Sequence, residues 1–158
     1  MRQIVDNRNG VWVTPKEFFS PLHREFSFEI DAAASRDNAM LPRYWTAETD
    51  AFKQDWHDRI VWCNPPYGRK DIYRWVKQCA TGGATLVCAL LPARTDTKWF
   101  HDFCYQKPNV EIRFIKGRIR FSESKGSGLF PSIVVIFRKK PTPVPPAAAE
   151  SAETKEKI

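Results

Sequence analysis

The sequence is poor in the features that mark membrane, disulfide-rich and metal-binding proteins. It has no apolar run near the ~20 residues that a membrane-spanning helix needs, and its start, Met1–Ile4, does not resemble a signal peptide. Its four cysteines form no Cys-x-x-Cys pair, and only three histidines accompany them. We therefore expect reduced core cysteines in a cytoplasmic protein, with no metal site, no disulfide framework and no membrane partner.

Glycine is also scarce, and no Gly-x-Gly follows the first predicted strand. Residues Phe26–Ile30 alternate with period two and predict a half-buried strand that ends at Asp31. The small residues Ala32–Ala34, with Ala33 at their centre, follow it and let a ligand approach closely. A weak strand candidate at Arg43–Thr46 is followed in the same way by Asp50. An acid at such a position commonly accepts the ribose hydroxyls of a nucleoside-containing cofactor, and a turn or capping role is the alternative.

The composition fits one globular domain with a basic surface. Apolar residues make up 42% of the 158 residues, which is enough for a real core. The net charge is +7, and because residues 141–158 carry −1, residues 1–140 carry +8. Such a domain fits a polyanion, most often nucleic acid, and a basic surface without such a partner is the alternative. We expect a flexible N-terminus at 1–10, a folded domain at 11–140 and a disordered tail at 141–158.

The first helix is predicted from a capping box. Thr14 is the N-cap, Pro15 takes the first helical position and Glu17 the third. The free amide groups at this helix end would also suit the carboxylate of a ligand. Both interpretations of Thr14 and Pro15 remain open from the sequence.

The order of the predicted elements indicates an α/β sheet in three layers. The elements are a helix from Thr14, strands at 26–30 and 43–46, a strand at 60–63, a helix from Asp71, a strand at 85–91, a helix from Thr95 or Asp96, and strands at 110–121 and 133–137. The last two strands have no helix between them and must pair antiparallel. The sheet is therefore expected to be mostly parallel, with an antiparallel strand pair at its C-terminal end.

The strand at 60–63 ends at Asn64-Pro65-Pro66-Tyr67, on which the functional interpretation depends. Neither proline can donate to a sheet, so the chain leaves the strand as a stiff segment at the edge where parallel sheets bind ligands. The Asn64 side-chain oxygen and the Pro65 carbonyl can accept both hydrogens of an exocyclic amine, and Tyr67 can stack on its ring. These acceptors would stabilise the charge that develops as a methyl group arrives. The alternative is a Pro-Pro turn with a tyrosine packed on it.

Basic side chains follow the later strands at the same expected edge. The set consists of Arg94, Lys116, Arg118 and Arg120. Arg94 follows the strand that should lie beside the Asn-Pro-Pro-Tyr strand, and alternation places Arg118 and Arg120 on one face. Taken together, these side chains are placed to bind the phosphates of a nucleic acid. The alternative for any one of them is an ordinary solvent-exposed charge on a strand.

Five segments together resemble the phage-type Dam family of DNA N6-adenine methyltransferases. They are Trp12–Pro15, Phe28–Ala34, Trp62–Tyr67, Leu91–Phe100 and Phe130–Ser132. These segments lie between residues 12 and 137, nearly the whole predicted domain. Many amino-group methyltransferases share Asn-Pro-Pro-Tyr. The Pro-Ala-Arg-Thr-Asp-Thr stretch, together with Thr14-Pro15 near the start of the chain, is specific to a much smaller group of proteins.

The resemblance implies a Rossmann-like methyltransferase fold, S-adenosyl-L-methionine as methyl donor, and adenine in DNA as acceptor. The motif Asn64–Tyr67 would hold an adenine flipped out of the duplex, because the amine is unreachable in the stack. The residues expected near the donor are Trp12, Thr14, Pro15, Asp31, Ala33 and Asp50. The protein would work in the bacterial host of a phage or prophage. Because no insertion is large enough for a target-recognition domain, specificity would come from short loops or from a second subunit, as in a homodimer.

Two other functions stay open at this point. A protein-glutamine or other amino-group methyltransferase would also use Asn-Pro-Pro-Tyr, although such enzymes resemble the chain only at that motif. A DNA-binding module without activity is the second, because the donor loop lacks its usual glycines. The charge of +8 on residues 1–140 favours a polyanion as the partner.

Overall fold

A five-stranded mixed sheet organises the protein in a computed structural model that describes residues 13–121 and 130–140. The strands are β1 (Ile30–Asp31), β2 (Ile60–Cys63), β3 (Leu86–Pro92), β4 (Val110–Phe114) and β5 (Ser132–Arg138). Their order across the sheet is β1-β2-β3-β5-β4. The first three are parallel, and β5 runs antiparallel to both β3 and β4. The predicted α/β class and the antiparallel pair at the C-terminal end are confirmed.

Helices cover both faces of the sheet. The helical segments are α1 (Lys16–Phe26), a 3-10 turn (Ala51–Lys53), α2 (Ile72–Thr81) and a π-helical turn (Phe100–Cys104). On β3, Val87 and Leu91 point into the core beneath α2, whereas Cys88 and Leu90 point into the core beneath α1. Because both faces of β3 are covered, the strand reads as an unbroken apolar run.

The strand predicted at Phe26–Ile30 ends at Asp31 as expected but is much shorter, so the prediction was wrong for the residues before Ile30. Helix α1 continues to Phe26, Ser27 turns the chain with a φ of 54°, and β1 begins only at Ile30. The rings of Phe26 and Phe28 lie 5.9 Å apart, and Phe28 is buried 5.6 Å from Trp62. The alternation therefore came from a helix end and the following turn, which bury side chains in one core.

The weak strand predicted at Arg43–Thr46 is reduced to one bridge beside β1. Tyr44 pairs in parallel with Asp31, whose backbone N–H donates to the Arg43 carbonyl at 3.0 Å. The Asp31 carbonyl accepts from the Trp45 N–H at 2.9 Å. The pairing extends β1 on its outer side without adding a strand of regular length.

The predicted side-chain caps are absent from the described helices. Helix α1 has Pro15 at its N-cap position and no side-chain cap, because the Thr14 hydroxyl has a different partner. Asp71 precedes α2 with helical backbone angles, whereas a capping residue needs an extended backbone. The π-helical turn has Trp99 at its N-cap position, so neither Thr95 nor Asp96 caps it.

Strand β4 ends at Phe114, so the predicted continuation to residue 121 was wrong. The alternation of burial nevertheless persists through the segment that follows. Ile119 and Phe121 are buried in the core beneath α1, whereas Arg118 and Arg120 are exposed. The two apolar residues pack as predicted although the segment forms no ladder.

The four cysteines are buried free thiols, as expected for core positions. None of the described helices is long and apolar enough to cross a membrane. Trp12, the N-terminus at 1–10, the loop after Phe121 and the tail at 141–158 lie outside the described residues.

Candidate active site

The side-chain amide of Asn64 lies between two hydroxyl groups directly after β2. Its Nδ2 donates to Thr14 Oγ1 at 2.9 Å, and its Oδ1 accepts from the Tyr67 hydroxyl at 2.6 Å. Thr14 comes from the segment before α1, fifty positions earlier in the chain. The two hydroxyls therefore set which way the amide of Asn64 points.

The Tyr67 hydroxyl has two acceptors for one hydrogen. Besides Asn64 Oδ1 at 2.6 Å, the backbone carbonyl oxygen of Leu90 in β3 lies 3.0 Å away. A phenol carries one hydrogen, so these two oxygens compete for it. The Tyr67 hydroxyl thus links the end of β2 to the backbone of β3.

Tyr67 belongs to the core, which differs from the open ring that a stacking role would use. Its side chain is 4% exposed, and its ring meets Phe130 edge-on with centroids 5.7 Å apart. Burial raises the pKa of the Tyr67 hydroxyl well above its usual value. Tyr67 is therefore a neutral hydrogen-bond donor.

One small pocket brings together three predicted donor-binding residues and the motif asparagine. Thr14, Asp31, Ala33 and Asn64 all line it. The remaining lining residues are Val13, Asn38, Met40 and Trp62. The pocket lies at the carboxyl ends of β1 and β2, where open parallel sheets bind ligands.

Asp31 supplies a buried carboxylate at this pocket. Its oxygens accept from the backbone N–H groups of Met40 at 3.0 Å and Ala33 at 3.4 Å. Burial raises the pKa of Asp31 from 3.8 to about 6, and the two backbone hydrogen bonds oppose that rise. The carboxylate is thus stabilised by any cation that comes to lie near it.

Two other predicted donor contacts have structural roles in the described part of the chain. The Asp50 side chain caps the 3-10 turn by accepting from the Phe52 N–H at 3.0 Å, and its backbone φ is 54°. Asp50 lies outside the pocket that Asp31 lines. The Pro15 carbonyl accepts from the N–H groups of Phe18 and Phe19, both at 3.1 Å, at the start of α1.

The predicted DNA-contacting side chains are exposed, and one of them touches the motif. Arg94 follows β3 and donates from Nη1 to the Tyr67 carbonyl at 3.4 Å. Lys116, Arg118 and Arg120 are exposed in the segment after β4. Their neighbour Arg113 forms ion pairs with Glu25 and Glu111.

Sequence reasoning missed the Leu90 carbonyl and the pocket wall formed by Asn38 and Met40. A backbone carbonyl in a buried strand leaves no sequence signal, and residues 35–41 follow no periodic pattern. Phe130 was part of a recognised segment, but no pattern indicated its contact with Tyr67. A larger cavity, lined among others by Ala84, Val110 and Phe137, lies at the opposite end of β3 and contains none of the predicted site residues.

The sequence matches known methyltransferases over most of its length. The family model described as DNA N-6-adenine-methyltransferase (Dam) matches residues 2–156. The DNA N-6-adenine-methyltransferase of Escherichia phage T1 is 34% identical over 99 residues, a match that covers 60% of this chain and 41% of that protein. The putative methyltransferase YfdM of Escherichia coli strain K12 is 35% identical over 63 residues, which cover 35% of this chain and 69% of that protein.

A solved structure supports the fold independently. The 23S rRNA methyltransferase ErmE superposes with a TM-score of 0.51 at 12% sequence identity, covering 85% of this chain and 72% of that one. The likeness confirms the Rossmann-like methyltransferase fold, with the helices and sheet arranged as described above. Because the family model matches nearly every residue, the chain belongs to the Dam family of DNA N-6-adenine methyltransferases.

Proposed function

We propose that the protein transfers a methyl group from S-adenosyl-L-methionine to the N6 amine of adenine in DNA. The observation that carries this proposal is the amide of Asn64, held between Thr14 and Tyr67 at the ligand-binding edge of the sheet. The family membership and the phage T1 relative support the same reaction. That relative also supports the bacterial cytoplasm as the place of action.

The chemistry rests on two carbonyl oxygens. Asn64 Oδ1 and the Pro65 carbonyl would each accept one hydrogen of the adenine amine, and Pro66 keeps the segment between them and Tyr67 stiff. The amine nitrogen becomes positively charged as it gains the methyl group, and both oxygens stabilise that charge until a proton leaves to water. The Asn64 Oδ1 atom has two lone pairs, so it can accept a hydrogen of the amine beside the Tyr67 hydroxyl.

The pocket beside Asn64 is about 20 Å³ in volume, so it would take only a small cationic part of the donor. S-adenosyl-L-methionine supplies its methyl group from a positively charged sulfur. The ionised carboxylate of Asp31 would attract that charge, and Ala33 leaves room for close approach. Trp12, Thr14, Pro15 and Asp50 complete the set of donor contacts that we propose, with Thr14 serving donor pocket and Asn64 alike.

DNA would be held along the same edge. An adenine inside a duplex cannot reach Asn64, so the target base must be flipped out or already single-stranded. Arg94 and the exposed set Lys116, Arg118 and Arg120 would hold the phosphates on either side. A second copy of the chain would supply further recognition surface, because the sequence has no insertion large enough for a target-recognition domain.

The test measures where the methyl group goes. The protein is incubated with methyl-labelled donor and DNA that lacks N6-methyladenine, and the DNA is digested to nucleosides for chromatography. We expect label in N6-methyladenine, and a loss of about 10²–10³ in rate for Asn64→Ala with donor affinity retained. Label in added protein instead of DNA, or no label in adenine, would contradict the proposal.

A further inference from the structure

Phe114, the last residue of β4, is a large apolar side chain left in solvent. It is 74% exposed. Val110 and Ile112 lie on the same face of β4 and are partly buried against the core beneath α2. Only the end of the strand therefore projects beyond the core, and it does so at the edge where β3 also ends.

The pairing register places Phe114 at the level of the Asn-Pro-Pro-Tyr motif. Phe114 pairs with Ile133, which pairs with Leu91. Leu91 lies two residues beyond the partner of Cys63, the last residue of β2. Three strand spacings of about 4.8 Å separate β2 from β4, so Phe114 is about 14 Å along the edge from the motif.

The surroundings of Phe114 favour nucleic acid as the partner. Lys116, Arg118 and Arg120 follow it within six residues, and all three are exposed. A second copy of this chain would bring the same positive charges against them, whereas a phosphate backbone would neutralise them. The distance of about 14 Å is close to the ~12 Å width of the major groove, so the motif and Phe114 can reach one duplex.

We propose that Phe114 stacks on a DNA base next to the target adenine and supports the duplex where that adenine leaves the stack. This inference rests on the proposed function and adds a base-contacting residue to it. An exposed aromatic ring offers stacking without a hydrogen-bonding requirement, so it accepts any base. Apolar wedges of this kind stabilise unstacked steps in other DNA-binding proteins.

The experiment compares Phe114→Ala, Phe114→Trp and Tyr105→Ala with the wild-type protein. Tyr105 is the matched control, because it is an aromatic side chain with 46% exposure near Lys107, which lines the cavity at the opposite end of the sheet. Affinity for a fluorescent duplex that the wild type methylates is measured over a range of salt concentrations. Thermal unfolding and donor affinity show whether each variant is folded.

We expect Phe114→Ala to bind the duplex about five- to a hundred-fold more weakly. Its salt dependence should equal that of the wild type, because no charge has been removed. Phe114→Trp should bind like the wild type, as should Tyr105→Ala. Methylation of a short single strand should be affected less than methylation of the duplex, because no neighbouring pair then needs support.

Three results would overturn the inference. Duplex affinity of Phe114→Ala equal to the wild type would remove Phe114 from the DNA path. A change from dimer to monomer in Phe114→Ala, measured by light scattering, would show that a second copy covers this residue. A wild-type protein that methylates no DNA would overturn the proposed function as well, whereas an active wild type with an unaffected Phe114→Ala overturns this inference alone.

Discussion

The single hydrogen of the Tyr67 hydroxyl decides how a conservative substitution at this position behaves. A residue that only stacks on a base would tolerate Tyr67→Phe, as the motif alone suggests. In the structure the hydroxyl serves both Asn64 Oδ1 and the buried Leu90 carbonyl. Removing it takes this donor away from both the Leu90 carbonyl and the Asn64 amide oxygen.

We therefore predict that Tyr67→Phe lowers the free energy of unfolding by about 1–3 kcal/mol. The same variant should lower kcat while leaving the KM for the donor nearly unchanged, because Asn64 loses part of its orientation. Tyr67→Ala should lose more of both, since it also empties ring volume from the core. Denaturant unfolding and steady-state kinetics measure these effects, and a Tyr67→Phe enzyme with wild-type kcat would contradict the positioning role.

Asp31 makes stability depend on pH in an unusual direction. Its pKa is about 6 in the folded protein against an ordinary 3.8, so between these values the folded state binds more protons than the unfolded state. At about pH 4 the Asp31 carboxyl group therefore adds to the free energy of unfolding. This contribution is lost as the pH rises through 6. The difference amounts to roughly 3 kcal/mol over the window.

We predict that Asp31→Asn gains stability relative to the wild type as pH rises from 4 to 7. A cationic donor would favour the ionised carboxylate, so wild-type donor affinity should tighten over the same range and that of Asp31→Asn should not. Denaturant unfolding and calorimetric titration at pH 4, 5, 6 and 7 test both effects. Parallel stability curves for the two proteins would show that Asp31 ionises as it does in an unfolded chain.

At the scale of elements, the segment after β4 buries alternate side chains although it does not pair with another strand. Ile119 and Phe121 anchor it in the core, and this holds Arg118 and Arg120 outward although no ladder fixes them. Arg113 lies in β4 before this segment, and its guanidinium is paired with Glu25 and Glu111, each at 2.6 Å.

We predict that Arg118→Ala with Arg120→Ala flattens the dependence of duplex affinity on salt. Each lost phosphate contact should lower the slope of log affinity against log salt by about 0.9, and donor affinity should not change. The matched control is Lys107→Ala with Lys140→Ala, which removes equal charge at the opposite end of the sheet. A slope equal to the wild type, or an equal change in the control, would place the DNA path elsewhere.

The elements that the sequence predicted well are those whose pattern depends on their own burial. Strands β2, β3 and β5 are apolar runs covered on both faces, and the stripe on α2 faces the sheet. The predictions failed where the position of a side chain depends on a partner that is distant in the sequence. Phe28 packs on Trp62 and Phe26 packs on Phe28, and the Thr14 hydroxyl accepts from Asn64 while α1 has no side-chain cap.

The features of the candidate site also divide into those that a local sequence pattern predicts and those that depend on a distant partner. The local motif predicted the position of Asn64 and its edge of the sheet, and Arg94 lies beside that motif as expected. The bond from Tyr67 to the Leu90 carbonyl could not be foreseen, because it depends on the neighbouring strand rather than on a residue type. The five segments that resemble the family are separated in the sequence, and Thr14, Asp31 and Asn64 from three of them line one pocket.

At the scale of the whole molecule, the described site and sheet are complete before residue 141. Among the described residues the last strand ends at Arg138, and Thr14 and Tyr67, which hydrogen-bond to the Asn64 side chain, precede it. We predict that a chain ending at Lys140 keeps the unfolding temperature and the methylation rate of the full chain. Its duplex affinity should rise slightly, because residues 141–158 carry −1. Calorimetry and the methylation assay measure this, and a marked loss of either property would give the tail a role in the fold or the site.

The position of β5 governs how the chain can fold while it is being made. Of the five strands in the described residues, β5 is synthesised last, yet it lies between β3 and β4. Until Arg138 has emerged, β3 has β2 on one side only and β4 has no partner in the sheet. Their open edges must be kept from pairing with other chains during that interval. Synthesis therefore ends in a single late closure, and a nascent chain stopped before residue 132 is expected to be the species that aggregates.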